Sequence, residues 1–327
     1  MTRKLDVQPI SWPLKEPFAI SRGVQTTSEV VVVRLHEQGV LALGEAAGVD
    51  YHGETPESMQ AQIEAVRGEI EAGAGRQDLL SLLPPGGARN ALDGALWDLE
   101  AKLGGTRAWE KAGVGSGGPI TTAITIGIRD IAGYEARARE LHRYPWIKIK
   151  VAADDPIACI EAVHRGAPSS RLVVDPNQAW SVEQLKTFAP HLAGLGVALL
   201  EQPVPVDGDD GLIDFASPVP ICADEAIDTV ADLPHLKGRY DFVNIKLDKT
   251  GGLTAALELA RAAQDQGFKL MVGCMVGGSV AMAPAMILGQ ICEIRDLDGP
   301  LLQSRDWDNG IVYEDGAMTP PWPDFWG

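Results

Sequence analysis

Trp146-Ile-Lys-Ile-Lys-Val151 alternates apolar and cationic residues at the two-residue period of a strand. Lys148 and Lys150 therefore share one face, and Ile147, Ile149 and Val151 the other. Burying even one amine is costly unless a partner charge is supplied, so a buried strand of this pattern requires carboxylates nearby. Taken alone, the stretch also reads as an edge strand with solvated lysines. Its neighbours along the chain decide between the two.

Short apolar strands are predicted on either side, at residues 121–126, 171–175, 197–201, 219–224, 242–246, 269–273 and 292–296, with helix-like segments at 155–165, 181–192 and 254–266. Alternation at roughly 22–28 residues per unit is the spacing of parallel βα units closing into a (β/α)8-type barrel. A doubly wound open sheet is the alternative. No GxGxxG follows a first strand and no GxxxxGK[ST] occurs, so the nucleotide-binding forms of that alternative lack support.

The first third of the chain has a different grammar. Residues 5–43 predict a strand meander with a β-branched run at Val30-Val-Val-Val-Arg-Leu35 and a loop at Phe18-Ala-Ile-Ser-Arg-Gly23. A helix is predicted from Thr55-Pro56 to Ile70, and an amphipathic packing helix over Ala88–Leu103, stopped by Gly104-Gly105. The Gly/Ser stretch at 113–118 reads as the boundary of this α+β lobe.

With 327 residues, 45% hydrophobic and 22% charged, the composition is that of a globular enzyme. A formal charge of -17 argues against nucleic acid or an anionic membrane as partner. There is no apolar run that spans a bilayer and no signal-like start, so a cytoplasmic protein is expected. Cys159, Cys222, Cys274 and Cys292 lack CxxC spacing and read as reduced, mostly buried thiols.

Lys150, Asp175, Glu201, Asp224 and Lys246 fall at or next to the C-terminal ends of successive predicted strands. In a parallel barrel those ends form one rim, where catalytic residues sit. A single such acid reads equally as a helix cap. Three converging carboxylates repel strongly and need a cation, and an all-oxygen donor set points to Mg2+. Asn177, Gln202 and Glu225 lie close enough in sequence to orient the ligands. A lysine beside a divalent cation and a second lysine is pushed toward its neutral form and becomes usable as a base. Two amines opposed across a substrate would remove a proton from carbon on one face and return it on the other. That is racemisation or epimerisation α to a carboxylate.

The set Lys148-Ile-Lys150, Asp175-Pro-Asn177, Glu201-Gln-Pro203, Asp224-Glu225 and Asn244-Ile-Lys246 resembles the enolase superfamily, muconate-lactonising subgroup, over nearly the whole chain. The resemblance implies an α/β fold, a (β/α)7β TIM-like barrel over residues 116–311. An α+β capping domain of residues 1–115, completed by the tail 312–327, would close over it. It further implies Asp175, Glu201 and Asp224 as Mg2+ ligands, Lys150 and Lys246 as the acid/base pair, and Lys148 as support for enolate charge. Within Arg295-Asp-Leu-Asp-Gly-Pro300, Asp296 and Asp298 are similar to the Asp-x-Asp of the dipeptide epimerases, which holds a substrate α-ammonium; a capped turn is the other reading. Arg22 resembles the loop arginine that grips a glutamate side chain, which implies an L-Ala-D/L-Glu-type dipeptide from murein turnover. After Gly273-Cys-Met275 the sequence Val-Gly-Gly-Ser279 departs from many relatives and predicts a roomier pocket floor. An o-succinylbenzoate synthase or muconate cycloisomerase on the same scaffold, or a non-enzymatic binding protein, are the competing readings. The expected partners are a small-molecule dipeptide and a second copy of the chain in a homo-oligomer.

Overall fold

The structure is a computed structural model that describes residues 3–20, 23–115, 117–152 and 154–327. Strands β1 (Lys4–Ile20), β2 (Gly23–Glu37) and β3 (Val40–Ala46) form an antiparallel sheet in that order. The described ends of the predicted loop at 18–23 are strand, because Phe18, Ala19 and Ile20 pair with Gln25, Val24 and Gly23. Val31, Val33 and Leu35 face a cap core, while Val30 and Val32 pack with Trp12 on the other side. A sheet buried on both faces explains a β-branched run without alternation.

The helix Gly87–Gly104 is the second layer of the cap. It was expected to be amphipathic, yet it is buried on nearly every side. The cause is that it lies between the sheet and the barrel: Ala91, Ala95 and Leu99 pack in the cap core, while Trp97 Nε1 donates to Thr254 Oγ1 at 3.0 Å and Arg89 donates to Thr250 O at 2.6 Å. Gly44 of β3 permits this packing, since a Cβ there would lie 1.9 Å from Ala91 O. The predicted helix to Ile70 is two pieces, Pro56–Ala65 and Arg67–Glu71, with Thr55 and Ser58 forming a reciprocal cap at its start.

After a short β4 (Ile120–Thr121) come β5 (Ile124–Ile126), β6 (Trp146–Lys150), β7 (Arg171–Asp175) and β8 (Val197–Glu201), followed by β9 (Ile221–Ala223), β10 (Phe242–Lys246), β11 (Lys269–Gly273) and β12 (Ile294–Asp296). These eight strands from β5 to β12 form one sheet in sequence order, every neighbouring pair parallel. Ala123 N donates to Arg295 O at 2.8 Å and joins the first strand region to the last, so the sheet is a nearly closed barrel. Helices such as Pro156–Gly166, Val182–Gly194 and Leu253–Asp265 pack outside, close to their predicted spans. Strands β13 (Val312–Glu314) and β14 (Ala317–Thr319) form a hairpin that pairs with β4, and the tail beyond it reaches the cap helix, where Gly327 N donates to Asp98 Oδ1. All four cysteines are free thiols. Among the described residues no helix is long and apolar enough to cross a membrane.

Candidate active site

Strand alternation builds the barrel interior in layers. Val173, Leu199, Cys222, Phe242, Met271 and Ile294 form an apolar floor. Two residues further along the same strands, the inward side chains are Asp175, Glu201, Asp224, Asn244 and Asp296. In β6 the odd-numbered Ile147 and Ile149 join the core outside the barrel, and Lys148 and Lys150 point in. The opening strand is therefore buried from Ile147 to Lys150 rather than an edge, and its amines have the partners they require.

Lys148, 2% exposed, is the hub. Its Nζ donates to Glu201 Oε1 at 2.8 Å and Asp296 Oδ2 at 2.8 Å, and lies 3.0 Å from Asp175 Oδ2. Lys150 Nζ donates to Asp175 Oδ2 at 2.6 Å, and Lys246 Nζ to Asp224 Oδ2 at 2.7 Å. Asn244 Nδ2 holds Glu201 Oε1 at 2.9 Å. Gly273 gives Asn244 and Lys246 their room, because a Cβ there would stand 2.8 Å from the Asn244 amide and 3.1 Å from Lys246 Cε.

The electrostatics divide the three rim acids. Burial alone would raise Asp175, but Lys150 and Lys148 outweigh it and hold it at about 2. Asp224 is likewise held far below the ordinary range by Lys246 and Lys249 against the effect of burial. Glu201 goes the other way: burial, then the neighbouring Asp175, push it up to about 8 despite Lys148. Lys246 is held by its carboxylate partner. Burial and Lys148 do lower it, but Asp224 outweighs them and keeps the ammonium above its ordinary value. A dication beside the lysine would bias it toward the neutral amine; here the lysine is itself the counter-ion of Asp224. Neutralising Asp224 would remove that support.

Among the described residues no three acidic, cysteine or imidazole side chains are gathered at metal-holding spacing, because amines sit between the carboxylates. The donor set nonetheless fits a hard dication. It is carboxylate oxygen throughout, and Glu201 Oε2, although 2.7 Å from Lys148 Nζ, is buried and accepts no well-directed hydrogen bond.

Above the rim is a cavity of about 330 Å3, lined from the cap by Phe18 and Gln25, from the rim by Lys150, Lys246 and Asp298, and by Met275 after β11. Asp298 lies beyond the end of β12, before the short helix Gly299–Leu302, and its side chain does not cap that helix. It accepts instead from Thr125 N at 2.6 Å, and burial, then Asp296, push it up to about 7. Asn177 Nδ2 reaches Glu225 Oε1 at 3.4 Å beside Asp175, whose Oδ1 accepts from Asn177 N. Gln202 Oε1 accepts from Asp224 N and Ala226 N. Arg22 lies outside the described residues.

Four participants carry no sequence signal strong enough to single out a role. Asn244 and Thr125 are inward strand positions visible from alternation alone, whereas Lys249, on Asp224, and Glu45, which accepts from Gly278 N and Trp307 Nε1 at 2.6 Å each, declare themselves only in three dimensions.

Residues 133–322 match the enolase C-terminal domain-like model, and residues 2–111 the mandelate racemase/muconate lactonizing enzyme N-terminal domain. The chain is 40% identical to the L-Ala-D/L-Glu epimerase of Escherichia coli K12 over 97% of its own length and 99% of that protein. It is 45% identical to an N-acetyl-D-glutamate racemase of Pseudoalteromonas over 76% of its length and 79% of that protein. A crystal structure of an enolase family member from Agrobacterium tumefaciens with homology to dipeptide epimerases, with sodium and L-Ala-L-Glu bound, superposes with a TM-score of 0.97 at 41% identity, covering 99% of this chain and 100% of that one.

Proposed function

The chain belongs to the mandelate racemase/muconate lactonizing enzyme family of the enolase superfamily, and from that premise we propose that it is a Mg2+-dependent dipeptide epimerase acting on L-Ala-D/L-Glu. It inverts the α-carbon of the C-terminal residue by proton transfer between two lysines. The observation that carries the reading is the disposition of Lys150 and Lys246, which line one cavity from strands four apart in a barrel of eight. Amines so placed address opposite faces of a carbon held between them.

Asp175, Glu201 and Asp224 would hold the ion. When bound, Mg2+ supplies the positive charge that lets a carboxylate lose its α-proton at neutral pH. Lys150 takes or gives the proton on one face and Lys246 on the other, each returning to its carboxylate partner when charged. Lys148, buried among Glu201, Asp175 and Asp296, offsets negative charge at the reacting end without exchanging a proton. Asp296 and Asp298 hold the free α-ammonium of the N-terminal residue. Asn177 and Glu225 orient the rim, and Arg22 binds the glutamate side chain.

The similarity to an N-acetyl-D-glutamate racemase gives a second reading, in which the same amines act on an acylated amino acid. Such a substrate has no ammonium, so Asp296, held by Lys148, and Asp298, held by Thr125 N, would gain no cation from it at its acyl end. This favours the free dipeptide. The deciding experiment incubates L-Ala-L-Glu and N-acetyl-L-glutamate separately with enzyme and Mg2+ in D2O. Deuterium at the glutamate α-carbon and formation of L-Ala-D-Glu are expected with the dipeptide; incorporation only into the N-acetyl compound would reject the proposal.

A further inference from the structure

We infer that Lys249, unused in the scheme above, is the residue that positions Asp224 for the ion; the inference rests on Asp224 being a metal ligand. Asp175 and Glu201 are the last residues of their strands, but β9 ends at Ala223 and leaves Asp224 one residue beyond it. The ladder from β9 to β10 is limited to Cys222 and Ala223. Beyond the ladder, the one main-chain bond to it among the described residues, Ile227 N to Asp224 O at 3.2 Å, is local, so Asp224 takes its place largely from side chains. Gln202 Oε1 holds its main chain, accepting from Asp224 N at 2.9 Å and Ala226 N at 3.1 Å.

Lys249 holds the rest. Its Nζ donates to Asp224 Oδ1 at 2.8 Å, to Ile227 O at 2.7 Å and to the main-chain oxygen of Asp224. Three donors are all an ammonium has, so none is left for substrate. The side chain is buried and does not line the cavity. Lys246 takes the other oxygen, Oδ2, and does line the cavity. Two amines thus divide one carboxylate. The Lys246 contact is open to exchange during the reaction, and the Lys249 contact is fixed. It is fixed because its own turn is anchored to the cap: Asp248 Oδ1 accepts from Gly48 N at 2.8 Å, and Arg89 donates to Thr250 O at 2.6 Å and Gly251 O at 3.0 Å. Cap and ion site are coupled through this one turn of chain.

The test is Mn2+ binding to the full-length protein, read from the free-ion EPR signal, with near-UV circular dichroism to establish folding. Lys249→Met is expected to raise the Mn2+ Kd about tenfold or more, the range seen when residues that orient metal ligands are removed. Lys246→Met, which takes the other amine from the same carboxylate, is expected not to weaken binding. If Lys249→Met does not fold, Lys249→Gln carries the test, since its amide keeps donors for the two carbonyls without the charge. An affinity within about twofold of the parent in the folded variant overturns the inference. Unchanged Mn2+ affinity in Asp175→Asn would instead overturn the rim as the ion site.

Discussion

In the proposed scheme Asp298 is the residue whose charge most directly sets substrate choice. Its carboxyl, raised to about 7 by burial and then by Asp296, is captured by an ammonium best when ionised. The KM for L-Ala-L-Glu should therefore fall as the pH rises from about 6 to about 8, and Asp298→Asn should raise KM about tenfold and flatten that dependence. A parent KM indifferent to pH would contradict this. Asp298 is a cleaner position to change than Asp296, which also carries Lys148. At the same scale, Lys148→Met should lower kcat by about a hundredfold with a smaller effect on KM, because the charge it offsets develops during the reaction. The rim acids and their lysines were legible because strand period and strand end both point to them. Asp296 and Asp298 were legible as a pair, but not as one residue on a strand and one past it. Lys249 was not legible, since a turn of four residues, Leu247–Thr250, has no period to read.

Among the elements, the contact between β3 and the helix Gly87–Gly104 sets how closely the cap is built. Gly44→Ala would drive a methyl into Ala91 O and should destabilise the protein by about 1–3 kcal/mol, seen as a lower denaturation midpoint with unchanged slope. Retention of the parent midpoint would show that the two layers can part without cost. The helix itself was legible as an amphipathic packing helix but not in its surroundings: Arg89 and Asp93 bond to the barrel. Barrel strands were read well where hydrophobic runs are uninterrupted, as at 171–175 and 242–246. They were overextended at β9, where Pro220 offers no N–H to a ladder, and at β12, which starts at Ile294.

At the scale of the molecule, cap and barrel are joined by buried acids. Glu45 of the cap accepts from Gly278 N, Asp93 of the cap helix from Thr254, and Asp248 of the barrel from Gly48 N. Burial lifts them to about 7, 6 and 6 against ordinary values of 4.5, 3.8 and 3.8. A raised acid stabilises the fold fully below its unfolded value and loses that contribution as the pH rises through its folded value. The melting temperature of the ion-free protein should therefore fall between about pH 4.5 and pH 7.5, and less steeply in Glu45→Gln. Growing repulsion in a chain of net charge -17 acts in the same direction. A melting temperature that rises across this window would refute the seam as described. The barrel also makes the central claim a global one, because strands β6 and β10 stand half a circumference apart and bring Lys150 and Lys246 to one cavity. Its most direct test is hydrogen exchange in D2O by Lys150→Ala and Lys246→Ala, given L-Ala-L-Glu and L-Ala-D-Glu separately with Mg2+. Each variant should lose epimerisation by about a hundredfold or more. One should exchange the α-proton of only one stereoisomer, and the other variant that of the opposite one. Normal epimerisation by both variants, or exchange of the same stereoisomer by both, would contradict the two-lysine account.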